Sequence, residues 1–211
     1  MDAILKWRID ILNMSSPRIS GELTVSKRST VISRIAMLSA LVIILDYTMK
    51  FSGLKIPFPW LPFLKFDLTG IPIVLSTLMM GLKAGVFTSV VALLAILVRS
   101  GDFIGASMKA TAELSTVVGF YIGCIIAEKK RGILRVMPYI AGCLIRILVM
   151  FILTLPVFTL YYGIPLGAAL AISPLVASFN LIHGLLSIFG GKLLYEALKR
   201  RIPAWILNVK G

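Results

Sequence analysis

Glu113, Arg146, Thr154, Asn180 and His183 are polar or ionisable residues set inside long apolar runs. Asn180, His183, Gly184, Ser187 and Gly191 recur three or four positions apart, so a helix places them in one stripe. An amide and an imidazole on one face can pair with the polar edge of a flat heterocycle. The bland alternative for His183, the one histidine of the chain, is a buried ring bonded to a neighbouring helix. Glu113 and Arg146 allow three readings: a structural ion pair, an arginine that snorkels to the surface, or a guanidinium that holds a substrate carboxylate. Glu113 and His183 also fit an acid and a base, provided both reach one substrate atom. No nucleophile motif or metal-ligand cluster accompanies them, and no residue is assigned to catalysis or to a metal.

The elements that must position these residues are membrane spans. The chain has 211 residues, 58% of them hydrophobic, and a mean hydropathy of +0.96. Soluble domains are less apolar. Roughly 20 apolar residues cross a bilayer as a helix, and six such segments are expected. They run over about 31–49, 71–82, 86–98, 104–127, 137–160 and 173–194. The second and third are short, which suggests a thin or tilted part of the bundle. Thr69 is placed to cap the second, with Pro72 in its first turn. The fold class is thus an all-α membrane protein, a compact bundle of six transmembrane helices over 31–200. Residues 1–30 form an N-terminal tail. Within it, residues 1–14 read either as an amphipathic helix on the membrane surface or as a floppy tail. Residues 201–211 form a C-terminal tail. No cleavable signal peptide is expected, because residues 1–27 carry charges throughout. Cys124 and Cys143 lie in apolar runs without CxxC spacing and read as small buried hydrophobes.

The net charge of +13 is a matter of topology. Lysines and arginines crowd both termini, Lys83 and the 128–135 turn, while few lie by the other loops. The positive-inside rule then places both termini in the cytoplasm of a multi-pass cell-membrane protein, and nucleic acid is not needed as a partner. On a rise of ~1.5 Å per residue, Glu113 and Arg146 lie at about the same depth. Asn180, His183, Thr154 and Asp46 fall in the outer half. The polar groups therefore converge on a pocket that opens outwards, beneath a loop over 50–65 rich in proline and aromatics. Phe58, Trp60 and Tyr162 are the best-placed rings. Such a loop often packs over a site as a lid.

Four stretches resemble a known family. Ala36-xxx-Ala40 is similar to a contact motif for a coupling subunit, and small residues at that spacing let helices approach closely. Leu64-Lys-Phe-Asp67-Leu-Thr-Gly-Ile-Pro72 is similar to the segment after the first loop, and Gly81 to Gly85 to a glycine turn. Ser178-Phe-Asn180-Leu-Ile-His183-Gly184 resembles a final-helix motif, Phe-Asn-Leu-Ile-Lys-Gly, whose Asn and Lys contact a vitamin. Over about 34–199 the chain resembles the substrate-binding S components of energy-coupling factor (ECF) vitamin transporters, most closely the riboflavin type. The resemblance implies a high-affinity binding protein, not an enzyme, that takes a vitamin from outside and associates with a transmembrane coupling subunit and two cytoplasmic ATPases. Riboflavin is then the transported ligand, with no cofactor. The resemblance implies Asn180, His183 and Thr154 as binding residues; the helical stripe adds Ser187, the depth reading Glu113 and the loop Trp60 and Phe58 as candidates; Ala36 and Ala40 are the implied partner interface. Here His183 stands where the family has lysine, and Thr154 where riboflavin-type members have asparagine. Glu113 and Arg146 lie outside the usual pattern, and an acidic vitamin such as biotin or pantothenate, held by Arg146, is the alternative. Gly190-Gly191-Lys192 is followed by leucine and does not complete a phosphate-binding loop, so ATP hydrolysis falls to a partner.

Overall fold

A computed structural model of the protein describes residues 21–129 and 136–202. The 1–14 segment, the basic turn after Lys129 and the tail beyond Ile202 lie outside the described residues. Six α-helices form the bundle: α1 Gly21–Phe51, α2 Gly70–Met80, α3 Leu82–Ser100, α4 Phe103–Lys129, α5 Met137–Pro156 and α6 Leu166–Arg201. A π-helical turn, Val157–Tyr161, continues α5. Among the described residues five helices are long and apolar enough to cross a membrane; α2, with 11 residues, is not. Neighbouring helices close a ring in the order α1, α2, α6, α5, α4, α3. The ring is inside-out by the standards of a soluble domain. Ile44, Val98, Leu148, Leu160 and Leu193 are exposed, as lipid-facing side chains must be. Asp46, Glu113, Arg146, Asn180 and His183 are buried.

The loop of 50–65 is an antiparallel hairpin, β1 Ile56–Phe58 and β2 Leu61–Phe66, with Ile56 opposite Phe66. Its prolines argue against strand in the sequence. A two-stranded ribbon has two open edges, and Pro57 and Pro62 are tolerated there. Phe58 and Leu61 pack with Phe158, Ala169, Val176 and Phe179, so the hairpin is part of a hydrophobic core.

Two expectations are corrected. First, the third span is not short; it is a full 19-residue helix. The second is short because the chain enters the bundle from the hairpin as non-helical backbone, Asp67 to Thr69, before α2 begins. Irregular backbone packed against the bundle must have its polar groups satisfied by protein. Here the Asp67 carbonyl accepts from His183 Nε2 at 3.2 Å, and the Thr69 amide donates to Asp67 Oδ1 at 3.2 Å. Thr69 makes no capping bond to α2; its hydroxyl donates to Asp67 Oδ1 at 2.6 Å instead. Second, the small-residue stretch before Ser173 is helix, not loop. α6 starts at Leu166, and Pro174 removes only the bond to the Leu170 carbonyl. Gly81, with φ +88°, turns α2 into α3, a conformation that favours glycine. Ser76 and Thr88 then join the two helices at 2.6 Å.

Candidate functional site

Arg146 is the centre of the buried polar groups. α5 carries it inward between α4 and α6, where it is 1% exposed. Its Nη1 donates to Glu113 Oε1 at 3.0 Å and to Thr116 Oγ1 at 2.9 Å, both on α4. Its Nε donates to Asn180 Oδ1 at 3.1 Å, and Nη2 lies 3.1 Å from His183 Nδ1, both on α6. A guanidinium can only donate and a carbonyl can only accept. The neutral Nε2–H tautomer of His183 therefore satisfies both of its neighbours, Arg146 and the Asp67 carbonyl. Glu113 and Arg146 are partners, as their equal depth predicts. Glu113 Oε2 and Ser187 Oγ have no hydrogen-bond partner among the described residues. Both face Gly70: a Cβ built there would stand 2.3 Å from the first and 2.1 Å from the second. Glycine at the start of α2 is thus a steric requirement of this network.

A second cluster joins the hairpin to the helix ends. Asp46 on α1 pairs with Lys55 at 2.6 Å, Arg99 at 2.6 Å and Lys109 at 3.4 Å. Asp67 pairs with Lys109 and, at 3.6 Å, with Lys55. Burial alone would raise the Asp67 carboxyl, but the Lys109 ammonium and the Thr69 hydroxyl outweigh it and hold it well below the usual carboxylate range. Burial and the charge of Lys109 push the Lys55 ammonium below its ordinary value, against the pull of Asp46 and Asp67. A depressed acid stabilises the fold above its unfolded-state pKa of about 3.9 and loses that contribution as pH falls towards the folded value. The thermal midpoint is expected to drop with acidification below about pH 4. Asp67→Asn should lower the midpoint at neutral pH and flatten that acid limb, and thermal unfolding in detergent across pH checks both.

The residues expected to form the site occupy neighbouring places. Thr154 and Asn180 line a small cleft at the α5–α6 seam, with Ile147, Phe151, Ser173, Val176 and Ala177, whose enclosed space of about 10 Å³ is room for about one water. The Thr154 hydroxyl is buried there and has no partner among the described residues. His183, Glu113 and Ser187 do not line that pocket; they lie buried in and beside the Arg146 network. Phe58 is buried in the hairpin core, 5.7 Å from the Phe179 ring. Trp60 is 66% exposed and its ring lies tilted against Phe58, at 5.1 Å. Tyr162 is exposed as well. Phe66 and Phe179 were not singled out by the sequence, yet their rings lie 5.8 and 5.4 Å from His183. Asp67 was quoted only within a motif. Its signal was a lone carboxylate two residues before a threonine, in a chain with few acids. Both ring nitrogens of His183 are engaged, by Arg146 and the Asp67 carbonyl, and Glu113 is engaged by Arg146 through Oε1.

Comparison with known proteins agrees with this geometry. The family model described as ECF transporter, substrate-specific component, matches residues 31–195. A solved structure described as the S component of a bacterial ECF transporter superposes with a TM-score of 0.69 at 25% identity, covering 83% of this chain and 98% of that one. No curated protein matches the chain. With most of its length matched by the family and its helices laid out as in a solved member, the chain belongs to the ECF transporter substrate-specific components, which are membrane-embedded binding proteins for transport and not enzymes.

Proposed function

We propose that the protein captures an uncharged vitamin with a flat polar-edged ring, riboflavin first among them. The carrying observation is the contrast between two sets of groups. The pocket holds a hydroxyl without a partner, Thr154, and an amide, Asn180. The cation beside it, Arg146, is committed to Glu113, Thr116, Asn180 and His183. A ligand carboxylate would have to displace Glu113, leaving a buried carboxylate unpaired. That weighs against biotin or pantothenate held by Arg146. Ligand pockets usually measure about 300–1,000 Å³, so a flavin demands that the α5–α6 seam widen. The π-helical turn above it, which carries the buried Phe158, is a place where α5 can yield.

The charge distribution supports an outward-facing pocket with both termini in the cytoplasm. Ala36 and Ala40 are exposed on α1 beside Ser33 and Met37. That small-residue face suits a coupling subunit, which would hand the vitamin on with energy from two ATPases. Titrating purified protein into riboflavin should quench flavin fluorescence at one-to-one stoichiometry. Thr154→Val should weaken binding about tenfold without a change in thermal midpoint, in line with one lost hydrogen bond. Absence of quenching would remove riboflavin. Stabilisation by biotin or pantothenate, abolished in the charge-free Arg146→Met with Glu113→Leu, would then favour the carboxylate reading.

A further inference from the structure

We infer that Arg146 is a positioning residue for ligand selection, which fixes the Asn180 carboxamide so that the pocket offers an N–H donor. The inference rests on the reading of the Thr154–Asn180 pocket as the ligand site. Arg146 Nε–H can only donate, so the amide atom 3.1 Å from it must be the carbonyl Oδ1. Turning the amide over would set an NH2 group against a guanidinium, donor against donor. Asn180 Nδ2 spends one hydrogen on the Val176 carbonyl at 2.9 Å. Its second hydrogen is the polar group that the amide has left to give. The Thr154 hydroxyl, which can donate or accept, is the other polar group lining the pocket without a partner. The buried edge of the ligand must therefore carry an acceptor, a ring carbonyl or ring nitrogen, opposite the Asn180 N–H, whereas the hydroxyls of Thr154 and Ser173 can also accept. A ligand whose buried edge only donates meets a donor and is rejected, because unpaired buried polar groups are costly.

The test exchanges charge while keeping shape. In the double variant Asn180→Asp with Glu113→Gln, Arg146 keeps one carboxylate partner and the buried charge stays balanced, but position 180 has no N–H. The variant is expected to keep its thermal midpoint within a few degrees and to bind riboflavin at least tenfold more weakly. A folded double variant that binds riboflavin as tightly as the parent overturns the inference. Arg146→Met with Glu113→Leu leaves the amide held on one side only, by the Val176 carbonyl. The preference for riboflavin over an analogue with both pyrimidine carbonyls replaced by thiocarbonyls, poorer acceptors, should then shrink at least threefold. An unchanged preference, with folding intact, also overturns it, since a merely structural Arg146 predicts that result. If the parent ignores riboflavin, the vitamin assignment fails on its own. The charge exchange is then read with whichever of biotin, pantothenate, thiamine and pyridoxine raises the parent's thermal midpoint. Weakened binding upholds the inference, whereas retained binding or a flat panel overturns it.

Discussion

Arg146→Ala is expected to cost about 3–5 kcal/mol, the range for removing one partner of a buried ion pair. The reason is what it leaves behind more than what it removes. Glu113 would remain 1% exposed with no cation in contact, and Asn180 and His183 would each lose a donor. A sharp fall in thermal midpoint and in the yield of monodisperse protein is the expected result. Arg146→Met combined with Glu113→Leu removes both charges and is expected to regain most of the loss, since an apolar replacement of a buried pair is often neutral or better. If both proteins are equally unstable, the charges matter less than the shape of the arginine, which also packs its methylenes against Gly184, where a built Cβ would lie 3.2 Å from Arg146 Cδ. If neither is destabilised, the network contributes little and Arg146 exists for the ligand alone.

The spans were legible because apolar runs of bilayer length have few other uses. The depth of Glu113 and Arg146 was legible because a helix converts residue number into height. That they are joined also to Asn180 and His183 was not, because depth says nothing of azimuth, and four helices can bring a stripe to the centre in many rotations. The hairpin was hidden by its own prolines. Asp67 was hidden because its work is done through the backbone carbonyl as much as the side chain, and a carbonyl has no signature in sequence. The same limit explains Thr69: a threonine before a helix reads as a cap, while the structure spends its hydroxyl on Asp67. His183 stands where the resemblance would put lysine. A lysine there would be another donor facing the Arg146 guanidinium, whereas a neutral imidazole accepts from it. An imidazole at position 183 thus suits the Arg146 that lies against it.

The second large effect is expected at the α4–α5 seam. A Cβ at Gly123 would stand 2.5 Å from Pro138 Cα and 2.7 Å from the Met137 carbonyl oxygen; one at Gly119 would stand 2.5 Å from the Ala141 carbonyl oxygen. These are backbone atoms, which no rotamer change can move aside. Gly119→Ala with Gly123→Ala must push the two helices apart. Overpacking of this kind costs about 1–3 kcal/mol per site, partly offset by the better helix propensity of alanine, about 1 kcal/mol each. Gly167→Ala is the control: nothing lies within 4 Å of its built Cβ, so propensity acts alone and stability should hold or rise slightly. The seam also sets the distance across which Arg146 reaches. Gly119 lies one turn beyond Thr116, and Arg146 one turn beyond Gly142, whose neighbour Ala141 the new Cβ would strike. Spreading the helices by even half an ångström lengthens the Arg146 contacts to Thr116 and Glu113, at 2.9 and 3.0 Å, and loosens the lock on Asn180. The double alanine variant should therefore lose affinity for the proposed vitamin as well as thermal stability, while Gly167→Ala loses neither. Lowered stability with undiminished affinity would mean that the α4–α5 packing holds the bundle together but does not set the pocket.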